Sequence, residues 1–213
     1  MTNDLPIVRV VDDDDSVRSA LTVFMQMADL SVVTYESTSR FLNEDDLTRP
    51  GVVILDVRMP DMNGIECQAE MKRRHIDLPI IFLSAHGDIE MAAEAVRAGA
   101  KNFLVKPPKT DKLLALVNEA MKESVAHRRE QVYGQSLDNQ WLTLTSAEQR
   151  VALLVAKGFS NTLVASTLEI SERTVRAHKE AIYRKLDVEN AVELAEFLRD
   201  HATFYEREHY ETA

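Results

Sequence analysis

Residues 7–15 read IVRVVDDDD, a run of mostly β-branched residues that ends in four consecutive aspartates. The first five residues favour a buried strand, because β-branched side chains pack well on a pleated sheet. Four adjacent carboxylates repel one another, and a bound cation relieves that repulsion. The role of this stretch therefore depends on which other groups reach the same end of the same sheet.

The same pattern, an apolar strand followed by a helical segment, recurs through the first half of the chain. Five such pairs predict an α/β fold, a five-stranded, parallel, doubly wound (flavodoxin-like) sheet with helices on both faces. In sheets of this kind, ligands bind beyond the carboxyl ends of the strands. The predicted strands are residues 7–11, 30–35, 51–55, 78–83 and 102–105, and the helices that follow begin near residues 16, 37, 62, 88 and 110.

Polar residues directly follow four of the predicted strands: Asp12, Asp56, Ser84 and Lys106. A parallel sheet brings these four residues to one edge. Oxygen ligands select a hard cation, for which Mg²⁺ is the natural candidate. A carboxylate beside Mg²⁺ can attack phosphorus, while the metal and the Lys106 ammonium stabilise the charge on the phosphoryl oxygens. The sequence contains no Walker A motif, so this would be a phosphate site without a glycine-rich loop.

Composition narrows the classes of function. The 213 residues suffice for one or two domains. A formal charge of −10 argues against a protein that coats nucleic acid non-specifically. The single cysteine, Cys67, excludes an intramolecular disulfide framework and a cysteine-rich zinc site. With neither a secretory signal nor an apolar run of about 20 residues, the sequence predicts a cytoplasmic protein.

Apolar periodicity is lost at residues 126–140, which are predicted to be a partly helical linker whose helix ends near Gly134. This linker separates a first domain at residues 1–125 from a second at residues 141–213. The second domain has the pattern of a small all-α unit of four helices. Three of its helices begin at polar N-cap residues: Thr145, Ser160 and Ser171.

Two short helices joined by a tight turn, the second with a basic face, indicate a helix-turn-helix. In the second of them, Val175, Ile182 and Leu186 form the apolar stripe that faces the core. Positive charge on the opposite face favours the phosphate backbone of DNA, and polar cap residues add contacts to phosphates. The residues that supply this charge and these caps are Arg173, Arg176, Lys179, Arg184, Lys185, Asn161, Ser171 and Thr174.

The segments VVDDDDSVR, LDVRMPDMNGIE, FLSAHGD and FLVKPP resemble, in order and spacing, the signatures of receiver domains of two-component response regulators. The resemblance covers residues 5–123. It implies that Asp56 accepts a phosphoryl group from a sensor histidine kinase. It also implies direct Mg²⁺ ligation by Asp13, Asp56 and the backbone carbonyl of Arg58, with Asp12 acting mainly through water.

The same resemblance assigns roles to further residues. Ser84 would follow the phosphoryl group inward and Lys106 would pair with it, with a cis bond between Lys106 and Pro107. Phe103 occupies the aromatic switch position, and Arg97 lies on the face that pairs two receivers. Arg58 and His86 occupy positions that tune dephosphorylation. Asp15, or Ser16 beside it, is expected to cap the first helix. Asp14 is expected only to add negative charge near the site.

LTSAEQRVALLVAKGFSNTLVASTLEISERTVRAHKEAIYRKLDV resembles the LuxR-type output domain of the NarL/FixJ response regulators, over about residues 142–200. The resemblance implies that Arg176, Ala177 and Glu180 lie toward base edges. It places a second group of residues nearer to phosphates: Asn161, Thr174, His178 and Lys179. Two positions depart from the family pattern, since Thr162 stands where lysine is frequent and Glu180 where a basic residue is frequent.

Together these features predict a transcription regulator that is activated by phosphorylation. The receiver would dimerise when phosphorylated, and the dimer would bind promoter DNA, with RNA polymerase as a further candidate partner. The protein would not be an enzyme beyond its own phosphoryl transfer and dephosphorylation.

Two other functions remain open from the residues alone. A haloacid-dehalogenase-like phosphatase would use Asp12 as nucleophile and Asp14 as general acid, but it would leave Asp56 and residues 142–200 without a role. A constitutive DNA-binding protein of the same fold would bind its operator equally well with and without phosphorylation.

Overall fold

The structure is a computed structural model that describes residues 5–85, 92 and 95–210, the last six of them by backbone alone. Contacts between Cα atoms divide the chain into two compact units that meet between Arg128 and Arg129. Of the helix predicted at residues 88–100, residues 92 and 95–97 are helical, and most of the remainder lies outside the described residues, as does His86. None of the described helices is both long and apolar enough to cross a lipid bilayer.

The first unit is built on the predicted parallel, doubly wound sheet. Its strand order is β2-β1-β3-β4-β5, so β2 lies on one side of β1 and the later strands lie on the other. This change of side places a ligand crevice at the carboxyl ends of β1 and β3. All four pairs of neighbouring strands are parallel. The strands are β1 Ile7–Val11, β2 Val32–Tyr35, β3 Gly51–Asp56, β4 Ile80–Ser84 and β5 Asn102–Val105.

Alternating side chains of the sheet form two apolar cores, one on each face. Val8 and Val10 of β1 pack in one core with Leu21 and Met25, whereas Val11 lies in the other. Both faces are covered by helices, as expected for strands that are apolar on both sides. The helices of this unit are α1 Asp15–Gln26, α2 Thr38–Glu44, α3 Gly64–Arg73 and the first part of α4 Thr110–Leu142.

Asp14 caps α1, which corrects the prediction that Asp15 or Ser16 does so. Asp14 has an extended backbone, with φ −81° and ψ 111°, and its side chain accepts a hydrogen bond from the Ser16 N–H. Asp15 is instead the first helical residue, where its carboxylate complements the helix dipole and pairs with Arg18 at 2.8 Å. Asp14 therefore has a structural role at this helix end.

The second unit contains the end of α4 and four further helices. Their predicted N-caps at Thr145, Ser160 and Ser171 are present, and Thr145 forms the predicted capping box with Glu148. The core includes Val175, Ile182 and Leu186, as their spacing predicts. The helices are α5 Ser146–Ala156, α6 Asn161–Leu168, α7 Glu172–Leu186 and α8 Ala191–Tyr210.

The prediction that this helix ends near Gly134 is wrong, because α4 continues to Leu142. A Cβ atom at Gly134 would lie 1.9 Å from the ring of Phe204 on α8, so the missing side chain makes room for that ring. Tyr133 also donates a hydrogen bond to Asp200, at 3.0 Å. Residues 126–140, predicted to be a partly helical linker, are thus helical throughout, and from residue 129 onward they belong to the second unit.

Candidate metal centre and nucleic-acid interface

Three carboxylates converge at the carboxyl edge of the sheet. Oxygen atoms of Asp12, Asp13 and Asp56 all lie within 4.8 Å of one another. β1 and β3 are hydrogen-bonded neighbours, so the residues that end or follow these strands are brought side by side. Asp12 and Asp56 are buried and Asp13 is exposed, so that the cluster is open to solvent on one side. Such a cluster of oxygen donors suits a hard divalent cation.

The Lys106 side chain reaches the same cluster from the end of β5. Its Nζ lies 2.6 Å from Asp12 Oδ2 and 3.1 Å from Asp56 Oδ2. Burial raises the pKa of Asp12 above its ordinary value, although the Lys106 ammonium opposes this. Burial works to lower the pKa of Lys106, but the hydrogen bonds to Asp12 and Asp56 and their negative charges together outweigh it, and the pKa of Lys106 is raised. Lys106 is therefore a cation at neutral pH.

Other predicted receiver residues that the structure describes are Ser84, Phe103, Arg97 and the Lys106–Pro107 pair. Ser84 is buried at the end of β4, and its carbonyl accepts a hydrogen bond from the Lys106 N–H at 2.8 Å. Phe103 is half-buried and its ring centroid lies 6.2 Å from that of Phe82. The Lys106–Pro107 peptide bond is cis, as the resemblance implies. Arg97 is exposed.

Asp61, which the sequence analysis did not single out, fixes the loop after β3. Its Oδ2 accepts hydrogen bonds from the Ser39 N–H at 3.0 Å, the Ser39 hydroxyl at 2.8 Å and the Thr38 hydroxyl at 3.0 Å. Burial acts to raise the pKa of Asp61, but these hydrogen bonds and one from the Met62 N–H hold it at about 2. The loop that follows Asp56 is thereby tied to the start of α2. Only the Pro60-Asp61 turn pair hints at this in the sequence.

Arg18 is a second residue that the sequence analysis missed. Its guanidinium donates to the backbone carbonyl of Asp12 at 2.7 Å and to Asp15 at 2.8 Å. The turn that carries Asp12 and Asp13 is thus held from α1. The three-residue spacing of Asp15 and Arg18 on a helix was the available signal.

The geometry argues against the phosphatase alternative. That mechanism needs a protonated Asp14 as general acid, and a general acid works best with a raised pKa. The Ser16 hydroxyl and N–H instead lower the pKa of Asp14 by hydrogen bonding to its carboxylate. Asp14 is exposed and serves as the α1 N-cap, whereas buried Asp56 lies beside Lys106.

The exposed face of α7 has the composition expected of a nucleic-acid interface. Arg173, Arg176, Ala177 and Glu180 are all exposed, opposite the buried apolar stripe of this helix. The turn between α6 and α7 spans only residues 169–171, consistent with the predicted helix-turn-helix.

Two side-chain hydrogen bonds also link α6 to α7. Lys179 Nζ lies 3.3 Å from Asn161 Oδ1 and 5.9 Å from the centre of the Tyr183 ring. Thr162, which stands where lysine is frequent in the family, donates a hydrogen bond to Glu172 at 2.7 Å. Thr162 therefore has a structural contact where a lysine would supply positive charge.

Lys185 does not lie on this face as a free cation, which corrects its prediction as a DNA-facing charge. Its Nζ lies 2.7 Å from Glu148 Oε2 and 3.1 Å from the carbonyl of Thr143. Burial would raise the pKa of Glu148, but Lys185 and Thr145 outweigh it and lower that pKa. Lys185 thus stabilises the junction of α4 and α5 with the end of α7.

Lys185→Ala is expected to lower the free energy of unfolding of the second unit by about 2 kcal/mol, because Glu148 would remain buried without its cation. Since the pKa of Glu148 is lowered in the folded state, the difference from wild type should be complete at pH 7. It should shrink as the pH falls below about 4, where the carboxylate is protonated. Urea unfolding at pH 7 and at pH 4 measures both effects.

Arg184→Ala is the matched control, because Arg184 is an exposed neighbour on the same helix. It should leave the free energy of unfolding of the second unit unchanged, because its side chain is exposed and has no buried partner among the described residues. Equal stability losses in the two variants would contradict the role given to Lys185.

Comparisons with known proteins agree with the description of both units of the chain. Residues 8–118 match the response regulator receiver domain, and residues 142–198 match the luxR family of bacterial regulatory proteins. The response regulator protein TodT of Pseudomonas putida is 36% identical over 203 residues, which cover 94% of this chain and 89% of that protein. The transcriptional regulatory protein FixJ of Bradyrhizobium diazoefficiens is 30% identical over 187 residues, covering 88% of this chain and 91% of that protein.

The architecture is shared as well. The solved structure of the response regulator StyR is similar with a TM-score of 0.87 and 35% sequence identity, covering 92% of this chain and 98% of that one. The chain has both a receiver domain and a LuxR-type domain, and its relatives are response regulators, so the phosphatase hypothesis is not supported. The chain belongs to the two-component response regulators of the NarL/FixJ type, which are phosphorylation-activated transcriptional regulators.

Proposed function

We propose that Asp56 accepts the phosphoryl group, from a sensor histidine kinase and in a Mg²⁺-dependent step. The observation that carries this proposal is the Asp12, Asp13 and Asp56 cluster, whose carboxylate oxygens lie within 4.8 Å of one another. Lys106 lies 3.1 Å from Asp56 in the same cluster. A bond forms between a carboxylate oxygen of Asp56 and phosphorus while the bond between phosphorus and the kinase histidine breaks.

The donor set fits Mg²⁺. Asp13, Asp56 and the backbone carbonyl of Arg58 would bind the ion directly, and Asp12 mainly through water. When bound, Mg²⁺ neutralises the carboxylates and stabilises the charge on the phosphoryl oxygens. The Asp61 contacts with Thr38 and Ser39 support this role, because they hold the loop that carries the Arg58 carbonyl.

Lys106 and Ser84 would respond to the new phosphoryl group. The Lys106 ammonium, shared between Asp12 and Asp56, would pair with it. The Ser84 hydroxyl would donate a hydrogen bond to it, and Phe103 would turn inward as Ser84 moves. Arg58 and His86 would tune the rate of dephosphorylation.

The response would reach DNA through dimerisation of the receiver on a face that includes Arg97. A dimer holds two DNA-binding units at a high effective concentration, so that both half-sites of a promoter are occupied together. We expect this to happen in the cytoplasm, with RNA polymerase as a further partner. The proposed DNA contacts are Asn161, Arg173, Thr174, Arg176, Ala177, His178, Lys179 and Glu180.

Labelling with acetyl phosphate and sedimentation test this function. The full-length protein should take up label with Mg²⁺ but not with EDTA, and beryllofluoride with Mg²⁺ should double its sedimenting mass. Arg97→Ala should weaken dimerisation without reducing labelling, because its side chain is not among the site residues. Equal mass and equal DNA affinity with and without beryllofluoride would instead identify a constitutive DNA-binding protein.

A further inference from the structure

A negatively charged residue lies on the face of α7 that would approach DNA. Arg173, Arg176, Ala177 and Glu180 are spaced at three, four and seven residues and are all exposed. This spacing places them on one stripe of the helix. Three of them suit a surface that approaches phosphates or bases, whereas the carboxylate of Glu180 is repelled by phosphates.

Glu180 also differs from two nearby carboxylates, Glu172 on α7 and Glu148 on α5. Glu172 accepts a hydrogen bond from Thr162 at 2.7 Å, and Glu148 accepts one from Lys185 at 2.7 Å. Among the residues that the structure describes, Glu180 makes neither a hydrogen bond nor an ion pair. Arg176 lies one turn earlier, at a spacing that permits an ion pair, yet the two are unpaired within the described chain. Both side chains therefore remain free to bind a ligand.

The edges of the bases decide what such a carboxylate can bind. In the major groove only cytosine, through N4, and adenine, through N6, present amino donors. Guanine presents two acceptors at this edge, and thymine an acceptor and a methyl group, so both reject a carboxylate. Glutamate accepts from cytosine N4, whereas adenine, with its donor and acceptor side by side, is matched better by an amide.

We propose that Glu180 is a specificity-determining residue that accepts a hydrogen bond from the amino group of a cytosine in the major groove. The inference rests on the proposed DNA contacts of α7 and extends them to a particular base. Arg176, one turn away, suits a guanine. One helical turn spans about 5.4 Å and one base-pair step about 3.4 Å, so the cytosine and the guanine lie about one to two base pairs apart.

Selection of sites from a random double-stranded DNA library tests this inference. The full-length protein with Mg²⁺ and beryllofluoride is compared with its Glu180→Ala and Glu180→Gln variants. Wild type should prefer cytosine at one position of each half-site by about 5- to 100-fold. Glu180→Ala should lose the preference at that position alone, and Glu180→Gln should shift it toward adenine. Glu189→Ala, which removes the same charge from the exposed loop between α7 and α8, should retain the cytosine preference.

The outcomes separate this inference from the proposed function. If Glu180→Ala raises the affinity for all sequences equally and changes no base preference, Glu180 only repels phosphates and the inference is overturned. If wild type itself selects no sequence, the proposed DNA binding fails, and the inference fails with it.

Discussion

The Asp56→Asn variant is expected to take up no label from acetyl phosphate under conditions in which the wild type is labelled to completion. An amide is not a nucleophile toward phosphorus, and its neutral oxygen is a weaker ligand for Mg²⁺. The fold should be retained, because the substitution removes one negative charge from a cluster of three. The same variant should neither dimerise on treatment with acetyl phosphate nor gain DNA affinity, so the whole response is lost.

Asp12→Asn is the matched control, since it removes an equivalent charge from the same cluster without touching the proposed nucleophile. Its labelling should be slower than that of wild type but still present. Unchanged labelling of Asp56→Asn, combined with none in Asp12→Asn, would make Asp12 the nucleophile and overturn the assignment.

Gly64→Ala is expected to lower the free energy of unfolding of the first unit by about 3 kcal/mol, at the upper end for an overpacked site. A Cβ atom at Gly64 would lie 2.4 Å from the carbonyl oxygen of Asp56 and 3.1 Å from the Cα of Val57. Both atoms belong to the backbone, so a rotamer change cannot relieve the collision. The peptide of the phosphoacceptor itself must move, and labelling should slow together with the loss of stability. Urea unfolding and labelling rates measure both effects.

Gly99→Ala is the control, because it shows how much stability is lost when a glycine is replaced without a backbone collision. Gly99 has φ +91°, and the nearest atoms to a Cβ there are 3.9 Å away on the Lys72 side chain. Its replacement should cost about 1 kcal/mol in backbone strain and leave labelling unchanged. If Gly64→Ala were as mild as Gly99→Ala, the close approach at Asp56 would be of no consequence.

The sheet and its candidate site could be predicted because they depend on local patterns. Short apolar strands define a parallel sheet, and a parallel sheet brings the residues after its strands to one edge. Asp12, Asp56, Ser84 and Lys106 are at that edge for this reason, although they are up to 94 residues apart. Their convergence needed no knowledge of side-chain contacts.

Contacts that depend on tertiary packing could not be predicted. Lys185 has the spacing of an exposed residue, but its partner Glu148 lies 37 residues away in the sequence. The choice among Asp14, Asp15 and Ser16 as N-cap depended on backbone angles, because aspartate and serine are both plausible at a helix start. The hydrogen bonds from Thr38 and Ser39 to Asp61 likewise join segments 22 and 23 residues apart.

Gly134 shows why a helix stop can be predicted wrongly. Glycine costs a helix interior about 1 kcal/mol relative to alanine, so a glycine in a polar stretch favours a helix end. Here the ring of Phe204 occupies the space above Gly134, and its burial offsets that cost. The compensating residue is 70 positions away, on α8, so no local pattern around Gly134 indicates it.

The packing of Phe204 on Gly134 also sets where this protein can be cut or fused. The luxR-family match begins at residue 142, the last residue of α4. A fragment that began there would lose Leu137 from the core that it shares with Phe197, and would leave the ring of Phe204 without its neighbour. A fragment that begins at residue 129 keeps both. The practical boundary for joining the DNA-binding unit to another receiver domain is therefore about one dozen residues earlier than sequence similarity suggests.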